Sequence, residues 1–184
     1  MYSKELYIFE QLIANLTKVK EQADTWVPLY IMTSDKNDEQ TRSFFEEHNY
    51  FGYNKDFVKF FVQEMAPSCD YNGKLYMEAK DTLSLSPNGN GGWFSSLIKA
   101  GLIKDINERG VEWLNVFSVD NVLQRIADPV FVGATINAGC VCGSKVVRKA
   151  APEERVGVLC LEDGKPSIVD RKSTRLNSSH SAKS

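Results

Sequence analysis

Leu6, Phe9, Leu12, Ile13, Leu16 and Val19 recur at three- and four-residue intervals. That spacing predicts an amphipathic helix over residues 3–22, with Ser3 as its N-cap. Residues 27–32 (VPLYIM) form a short unbroken apolar run, the pattern of a strand buried on both faces. Helical spacing returns over 37–48 through Phe44 and Phe45, and 58–63 (VKFFVQ) reads as a second strand. Residues 74–78 read as part of a hairpin opened by Asn72-Gly73.

The stretch 84–92, SLSPNGNGG, is a glycine-rich loop, and 93–100 reads as a helix closed by Gly101. Residues 111–119 (VEWLNVFSV) have the strongest strand pattern in the chain and run directly into Asp120. Asp128-Pro129 is a cap followed by a first-turn proline, opening a helix towards Ala138. Strands are expected over 145–147 and 156–161, with a hairpin turn at Asp163-Gly164. Helices alternating with apolar strands argue for an α/β sheet covered on both faces, with no internal repeat and no linker before residue 170.

After Val169 the periodicity stops. Residues 170–184, DRKSTRLNSSHSAKS, contain one large apolar side chain, Leu176. A disordered polar tail is one reading. The run DRKSTRLNSSH also resembles the translation of a sequencing adapter, without a gap. Residues 170–184 are therefore expected to be read-through lying outside the natural sequence, and residues 1–169 to be the natural part of one domain.

Composition narrows the function classes. A hydrophobic share of 42% and a charged share of 25% are those of an ordinary soluble domain. The net charge of -2 offers no basic footprint for phosphate neutralisation, which argues against nucleic acid. The first residues lack the apolar core of a secretory signal, and no run approaches the roughly 20 apolar residues of a membrane span. A cytoplasmic setting without a membrane is expected. Cys140 and Cys142, two apart, would share a face if they lay on a strand. His48 and His180 stand near no C-x-x-C, so the four cysteines (Cys69, Cys140, Cys142, Cys160) are expected to be small buried hydrophobes in a reducing compartment.

Ligands of open α/β sheets bind beyond the carboxyl ends of the strands. Three groups are expected there: Thr33 and Ser34 after the first strand, the loop Asn88 to Gly92, and Asp120 with Asn121. Glycines 89, 91 and 92 allow positive φ and close backbone approach, and the following helix start presents free N–H groups to phosphate or sugar oxygens; the same glycines also suit a flexible turn. The loop is neither a Walker A sequence nor a G-x-G-x-x-G after a strand. A carboxylate ending an apolar strand is costly to desolvate unless paired, metal-bound or wet, so Asp120 suits a divalent metal, a ribose hydroxyl, or a turn cap. Gln63 ends a strand with an amide that both donates and accepts, which suits a pyrimidine edge.

Several long pieces then occur in order: PLYIMTS (28–34), FFEEHNYFG (44–52), SPNGNGG (86–92), VDNVLQRIADPVF (119–131), CGSKVV (142–147) and APEERVGVLCLEDGKP (151–166). In these the chain resembles the UDP-sugar pyrophosphorylases of the UDP-N-acetylglucosamine type, from residue 3 to residue 169. The resemblance implies an incomplete Rossmann-like, GT-A-like three-layer nucleotidyltransferase domain with a mixed sheet. It implies UTP and a sugar 1-phosphate as substrates, Mg²⁺ as cofactor, and UDP-N-acetylglucosamine and pyrophosphate as products, with no protein partner indicated. Glucose or galactose 1-phosphate, and a non-catalytic nucleotide-sugar-binding module, are the alternatives.

Residue by residue, Gln63 matches the uracil-reading glutamine, Gly89 a nucleotide-contacting glycine and Asn90 the sugar-contacting asparagine. Asp120 matches the aspartate of the uridyl and metal site, and Gly157 a glycine near the sugar. The family's LxGGxGTRLG loop and its catalytic lysine are absent from the chain, so catalytic residues are not identified and the chain by itself is expected to be inactive. The glutamate expected beside the sugar falls at Asp170, and Trp93 stands where relatives carry leucine or a similar residue, which bears on sugar choice.

Overall fold

In the computed structural model, which describes residues 6–151, 153–154 and 156–169, the apolar runs at 27–32 and 58–63 become two paired parallel strands. These are β1 (Leu29–Thr33) and β2 (Val58–Val62), in register from Leu29 opposite Val58 to Thr33 opposite Val62. Helix α1 (Ile8–Ala23) precedes them and α2 (Asp38–Glu47) is the crossover between them, since parallel neighbours cannot be joined by a tight turn. The chain divides into two compact units, residues 1–141 and 142–184.

The two strands send alternate side chains to two different cores, as period-two geometry requires. Leu29, Ile31, Val58 and Phe60 join Leu12, Ile13 and Leu16 of α1 and Phe45 of α2. Tyr30, Met32 and Phe61 join Leu97 of α3 (Trp93–Lys99) and Ile106 of α4 (Leu102–Glu108). Helices on both faces of a parallel pair make a three-layer α/β arrangement, and the continuous apolar pattern of VPLYIM follows from it. Phe45 is fully buried, and burying such a side chain contributes roughly 1.5–3 kcal/mol.

Helix boundaries follow local chemistry. Tyr7 stands at the N-cap of α1, its amide donating to Glu10 Oε2 at 3.4 Å, and the helix ends at Asp24 in the left-handed region (φ 49°). The expected cap Ser3 lies outside the described residues. Asp128 caps α5 (Pro129–Asn137) by accepting from the Val130 amide at 3.1 Å, with proline at N1. Gly101, at φ 73°, ends α3 and opens α4. α4 was not expected from the sequence, although Leu102, Ile103 and Ile106 carry its buried stripe.

Four short strands lie between β2 and α3. β3 (Met65–Pro67) pairs antiparallel with β6 (Leu85–Pro87), and β4 (Met77–Ala79) with β5 (Thr82–Leu83). The expected turn at Asn72-Gly73 forms: Asp70 Oδ1 accepts from Asn72 and Lys74 amides, Gly73 sits at φ 83°, and Cys69 bridges Leu75. In the second unit, β7 (Val158–Glu162) and β8 (Lys165–Val169) form a hairpin. Asp163 and Gly164 both have positive φ (51° and 76°), as a type I′ turn requires.

Three expectations are corrected. Residues 111–119 form no strand, because a strand needs a ladder partner for its N–H and C=O groups and no described segment supplies one. The Val111 amide instead bonds the Ile106 carbonyl at 3.1 Å; Val111 and Phe117 pack on the cores, while Leu114, Val116 and Val119 are exposed. Residues 145–147 likewise form no strand, and Val146 and Val147 face solvent. Cys69, Cys140 and Cys142 are exposed rather than buried, Cys160 is half-buried, and all four are free thiols; Cys140 and Cys142 share no strand face, since the chain there is irregular. The expected read-through at 170–184 lies outside the described residues. Among those described, no helix is long and apolar enough to cross a membrane.

Candidate functional site

At the carboxyl end of the parallel pair the chain leaves β1 at Thr33 and β2 at Val62. The Gln63 amide donates to the Thr33 carbonyl at 2.8 Å, which carries the ladder one step beyond β2 and holds Gln63 beside Thr33. Gln63 is half-exposed there. The hydroxyls of Thr33 and Ser34 are engaged locally. Thr33 is buried and its hydroxyl donates to Asp38 Oδ1, while the Ser34 amide and hydroxyl both donate to Asn37 Oδ1, at 2.7 and 2.9 Å. They fasten the entry to α2. The Arg42 guanidinium, 2.7 Å from Asp38, holds the Asp38 carboxyl below the usual carboxylate range against the opposing effect of burial.

The glycine loop is tied to the same strand end. The Asn88 amide donates to the Glu64 carbonyl at 3.0 Å, continuing the β3–β6 pairing in which Met65 faces Pro87. Gln63 and the loop are thereby one covalent step apart across a hydrogen bond. Gly89 adopts φ 78° and ψ 171°, a conformation open to glycine and hardly to any other residue. Asn90 to Gly92 then make a single 3-10 turn that runs into α3. An added Cβ at Gly89 or Gly91 would meet nothing within 4 Å, so the backbone geometry rather than crowding calls for glycine at 89.

Glu64, not among the residues expected at the site, fixes this arrangement. Its amide donates to Ser96 Oγ at 3.0 Å, and the buried Ser96 hydroxyl donates in turn to the Gly92 carbonyl at 2.9 Å. Its carboxylate accepts from Ser95 Oγ at 2.8 Å and pairs with the Lys99 ammonium. The available signal was Ser95 and Lys99, four apart and so on one face of the helix after the loop, opposite a carboxylate at a strand end.

The remaining site residues have different surroundings. Asp120 is exposed, in a turn where the Asn121 amide bonds the Ser118 carbonyl at 3.1 Å. With no strand before it, exposed Asp120 faces no desolvation cost, and its metal role rests on the resemblance. Among the described residues no three His, Cys, Asp or Glu gather into a metal-holding group. Gly157, in the second unit, precedes β7; a Cβ there would make ordinary contacts, 3.6 Å to Ile168 and 3.8 Å to the Val169 carbonyl. Trp93 is half-buried against the Phe61–Leu97–Ile106 core, edge-on to Phe94 at 5.3 Å between ring centroids. Its indole is a core element at the foot of α3.

Comparison with known proteins agrees with this architecture. Residues 3–184 match the family described as UTP–glucose-1-phosphate uridylyltransferase. A mouse UDP-N-acetylhexosamine pyrophosphorylase-like protein 1 is 42% identical over 158 residues, 86% of this chain and 31% of that protein. The UDP-N-acetylglucosamine pyrophosphorylase of Saccharomyces cerevisiae is 40% identical over 162 residues, 88% of this chain and 34% of that protein. The crystal structure of the uridine diphosphate N-acetylglucosamine pyrophosphorylase from Trypanosoma brucei, in complex with an inhibitor, superposes with a TM-score of 0.85 at 30% identity. That match covers 93% of this chain and 36% of the other. The chain thus spans about a third of the length of the curated relatives it matches.

Proposed function

The chain belongs to the UTP–glucose-1-phosphate uridylyltransferase family, and from that membership we propose that the protein carrying it joins UTP and N-acetylglucosamine 1-phosphate into UDP-N-acetylglucosamine, releasing pyrophosphate. The single observation that supports this best is the tie between Gln63 and the glycine loop at the carboxyl end of the parallel strands, through Glu64 and Asn88. It offers a base-reading amide and a close-approach backbone on adjacent segments, where α/β sheets take nucleotides.

In this reading the Gln63 amide pairs with the uracil edge, Gly89 lets the backbone approach the nucleotide, and Asn90 contacts the sugar; the sugar role of Gly157 rests on the resemblance alone. Asp120 contributes one carboxylate to Mg²⁺. That ion is usually held by one or two carboxylates together with substrate phosphates, so an exposed lone carboxylate is a fitting protein share. When bound, Mg²⁺ supplies neutralisation of phosphate charge. The sugar phosphate attacks the α-phosphorus in line, and the protein's part is positioning. The proposed setting is cytoplasmic, where the four thiols would stay reduced.

The test is pyrophosphate release by the full-length protein with UTP, Mg²⁺ and, separately, the 1-phosphates of N-acetylglucosamine, glucose and galactose. The highest kcat/KM is expected with N-acetylglucosamine 1-phosphate. Turnover of another sugar alone reassigns the substrate, and UTP binding without any turnover makes the protein a non-catalytic binding module.

A further inference from the structure

All four polar atoms of Glu64 are committed to one segment of chain, residues 88–99. Its carbonyl takes the Asn88 amide at the start of the Asn88–Gly92 loop, its amide reaches Ser96, and its two carboxylate oxygens take Ser95 and Lys99. The Ser96 hydroxyl closes the circuit by returning to the Gly92 carbonyl at the end of the loop. The loop is therefore clamped at both ends by the residue directly after Gln63.

A fastening that served the fold alone would not need this density. Leu97 already secures α3 to the core through Phe61. Residues 88–91 are themselves exposed, and segments with few buried contacts open most readily. What the Glu64 contacts add is a fixed spacing between the Gln63 side chain and the Gly89–Asn90 backbone. We infer that Glu64 is a positioning residue that holds the glycine loop at a set distance from Gln63, so that base and phosphate or sugar are gripped together. The inference rests on the uridylyltransferase reading for its ligand, and on the contacts alone for the clamp.

Two readouts in the full-length protein separate those parts. The first is amide hydrogen exchange in peptides covering residues 86–93. Glu64→Ala is expected to speed exchange there about tenfold, with Glu64→Gln in between because its amide oxygen still accepts from Ser95. The second is steady-state kinetics: Glu64→Ala is expected to raise KM for UTP about tenfold, with a smaller loss of kcat and an unchanged Tm. Glu108→Gln, which breaks only the exposed Lys104 pair, serves as the control and leaves both readouts at wild type. Unchanged exchange in Glu64→Ala overturns the clamp. Faster exchange with wild-type KM and kcat overturns the positioning role. A wild-type protein without turnover refutes the uridylyltransferase reading instead, and exchange alone then decides the clamp.

Discussion

The Tyr30 hydroxyl donates to Asp105 Oδ2 at 2.7 Å, joining β1 to α4 across 75 positions of sequence. The same oxygen accepts from Arg109 Nε at 2.9 Å, and Arg109 Nη2 reaches the Asp56 carbonyl at 2.8 Å while its guanidinium stacks 4.5 Å over Phe57. One carboxylate thus links the first strand, the second helical layer and the approach to β2. Burial first, and then the Asp105 carboxylate, push the Tyr30 hydroxyl above its ordinary value. Burial by itself raises Asp105, but the hydrogen bonds from Arg109 and Tyr30 outweigh it and hold that carboxyl low.

Tyr30→Phe removes one bond to a charged acceptor and leaves the ring in the core. A loss of about 1.5–3 kcal/mol is expected, read by urea denaturation at neutral pH. Tyr30 is raised in the folded state, so its contribution is complete below the unfolded tyrosine value of about 10 and fades as pH rises beyond it. The wild-type protein should therefore lose stability above that pH more steeply than Tyr30→Phe. Parallel alkaline profiles of the two would show that the hydroxyl is not coupled to folding.

Asp38 and Asp105 predict the acid limb. Both are depressed, so the unfolded chain binds more protons than the folded one between the two sets of values. Their stabilisation is complete above the unfolded aspartate value of about 3.9 and is lost as pH falls through the lower folded values. Thermal melts from neutral pH down to acid should show a decline that begins near that point. Asp38→Asn combined with Asp105→Asn should lower the neutral-pH Tm and flatten the decline; an equally steep decline in the double variant would assign the acid limb to other carboxylates.

Gly89 tests the loop itself. With φ at 78° and open space around a Cβ, Gly89→Ala meets strain but no clash. The cost is expected at about 1–3 kcal/mol, taken as a local shift of the exposed loop more than as global unfolding. Tm should then change little while UTP affinity falls. A large drop in Tm with full UTP affinity would make the glycine a folding requirement only.

Much of this architecture could be read in the sequence, and the exceptions have physical causes. VPLYIM and VKFFVQ announced strands because a parallel pair covered on both faces takes apolar side chains on both sides of each strand, and Phe60 and Phe61 go to different cores even though Lys59 interrupts the second run. Asp128-Pro129 and Asp163-Gly164 were legible because caps and I′ turns depend on single residue types. VEWLNVFSV misled because strand character belongs to a pair, and periodicity in one segment does not reveal its partner. α4 escaped because Gly101 looked like a stop and also serves as the next cap. At the candidate site, Gln63 and Gly89 carried signals of their own, whereas Glu64 has meaning only through Ser95, Ser96 and Lys99 some thirty residues on.

The chain as given contains no LxGGxGTRLG loop and no lysine following one. Removing a single preorganised donor to a transition-state oxyanion typically costs about 10²–10³ in rate. A purified 184-residue chain is accordingly expected to release no pyrophosphate above blank from UTP and any sugar 1-phosphate. Measurable release would mean that this chain carries a sufficient phosphate grip of its own.

The separate roles of Gln63, Asn90 and Asp120 are decided by kinetics in the full-length protein. Gln63→Ala removes the partner of the base edge, so selectivity for UTP over other nucleoside triphosphates should fall, by about tenfold for the roughly 1.5 kcal/mol of a bond between uncharged groups. Asn90→Ala should act on the sugar phosphate, raising its KM or lowering kcat while UTP affinity stays nearly fixed. Asp120→Asn keeps the shape and removes the charge; a neutral amide is a poor ligand for a hard cation, so turnover should fall and the Mg²⁺ concentration for half-maximal rate should rise. The exposure of Asp120 makes a folding explanation of that loss implausible, because the turn around it is closed by backbone bonds that asparagine preserves. Equal proportional losses of UTP binding, sugar-phosphate use and Mg²⁺ response in all three variants would show that these residues support the fold together and do not serve distinct parts of a site.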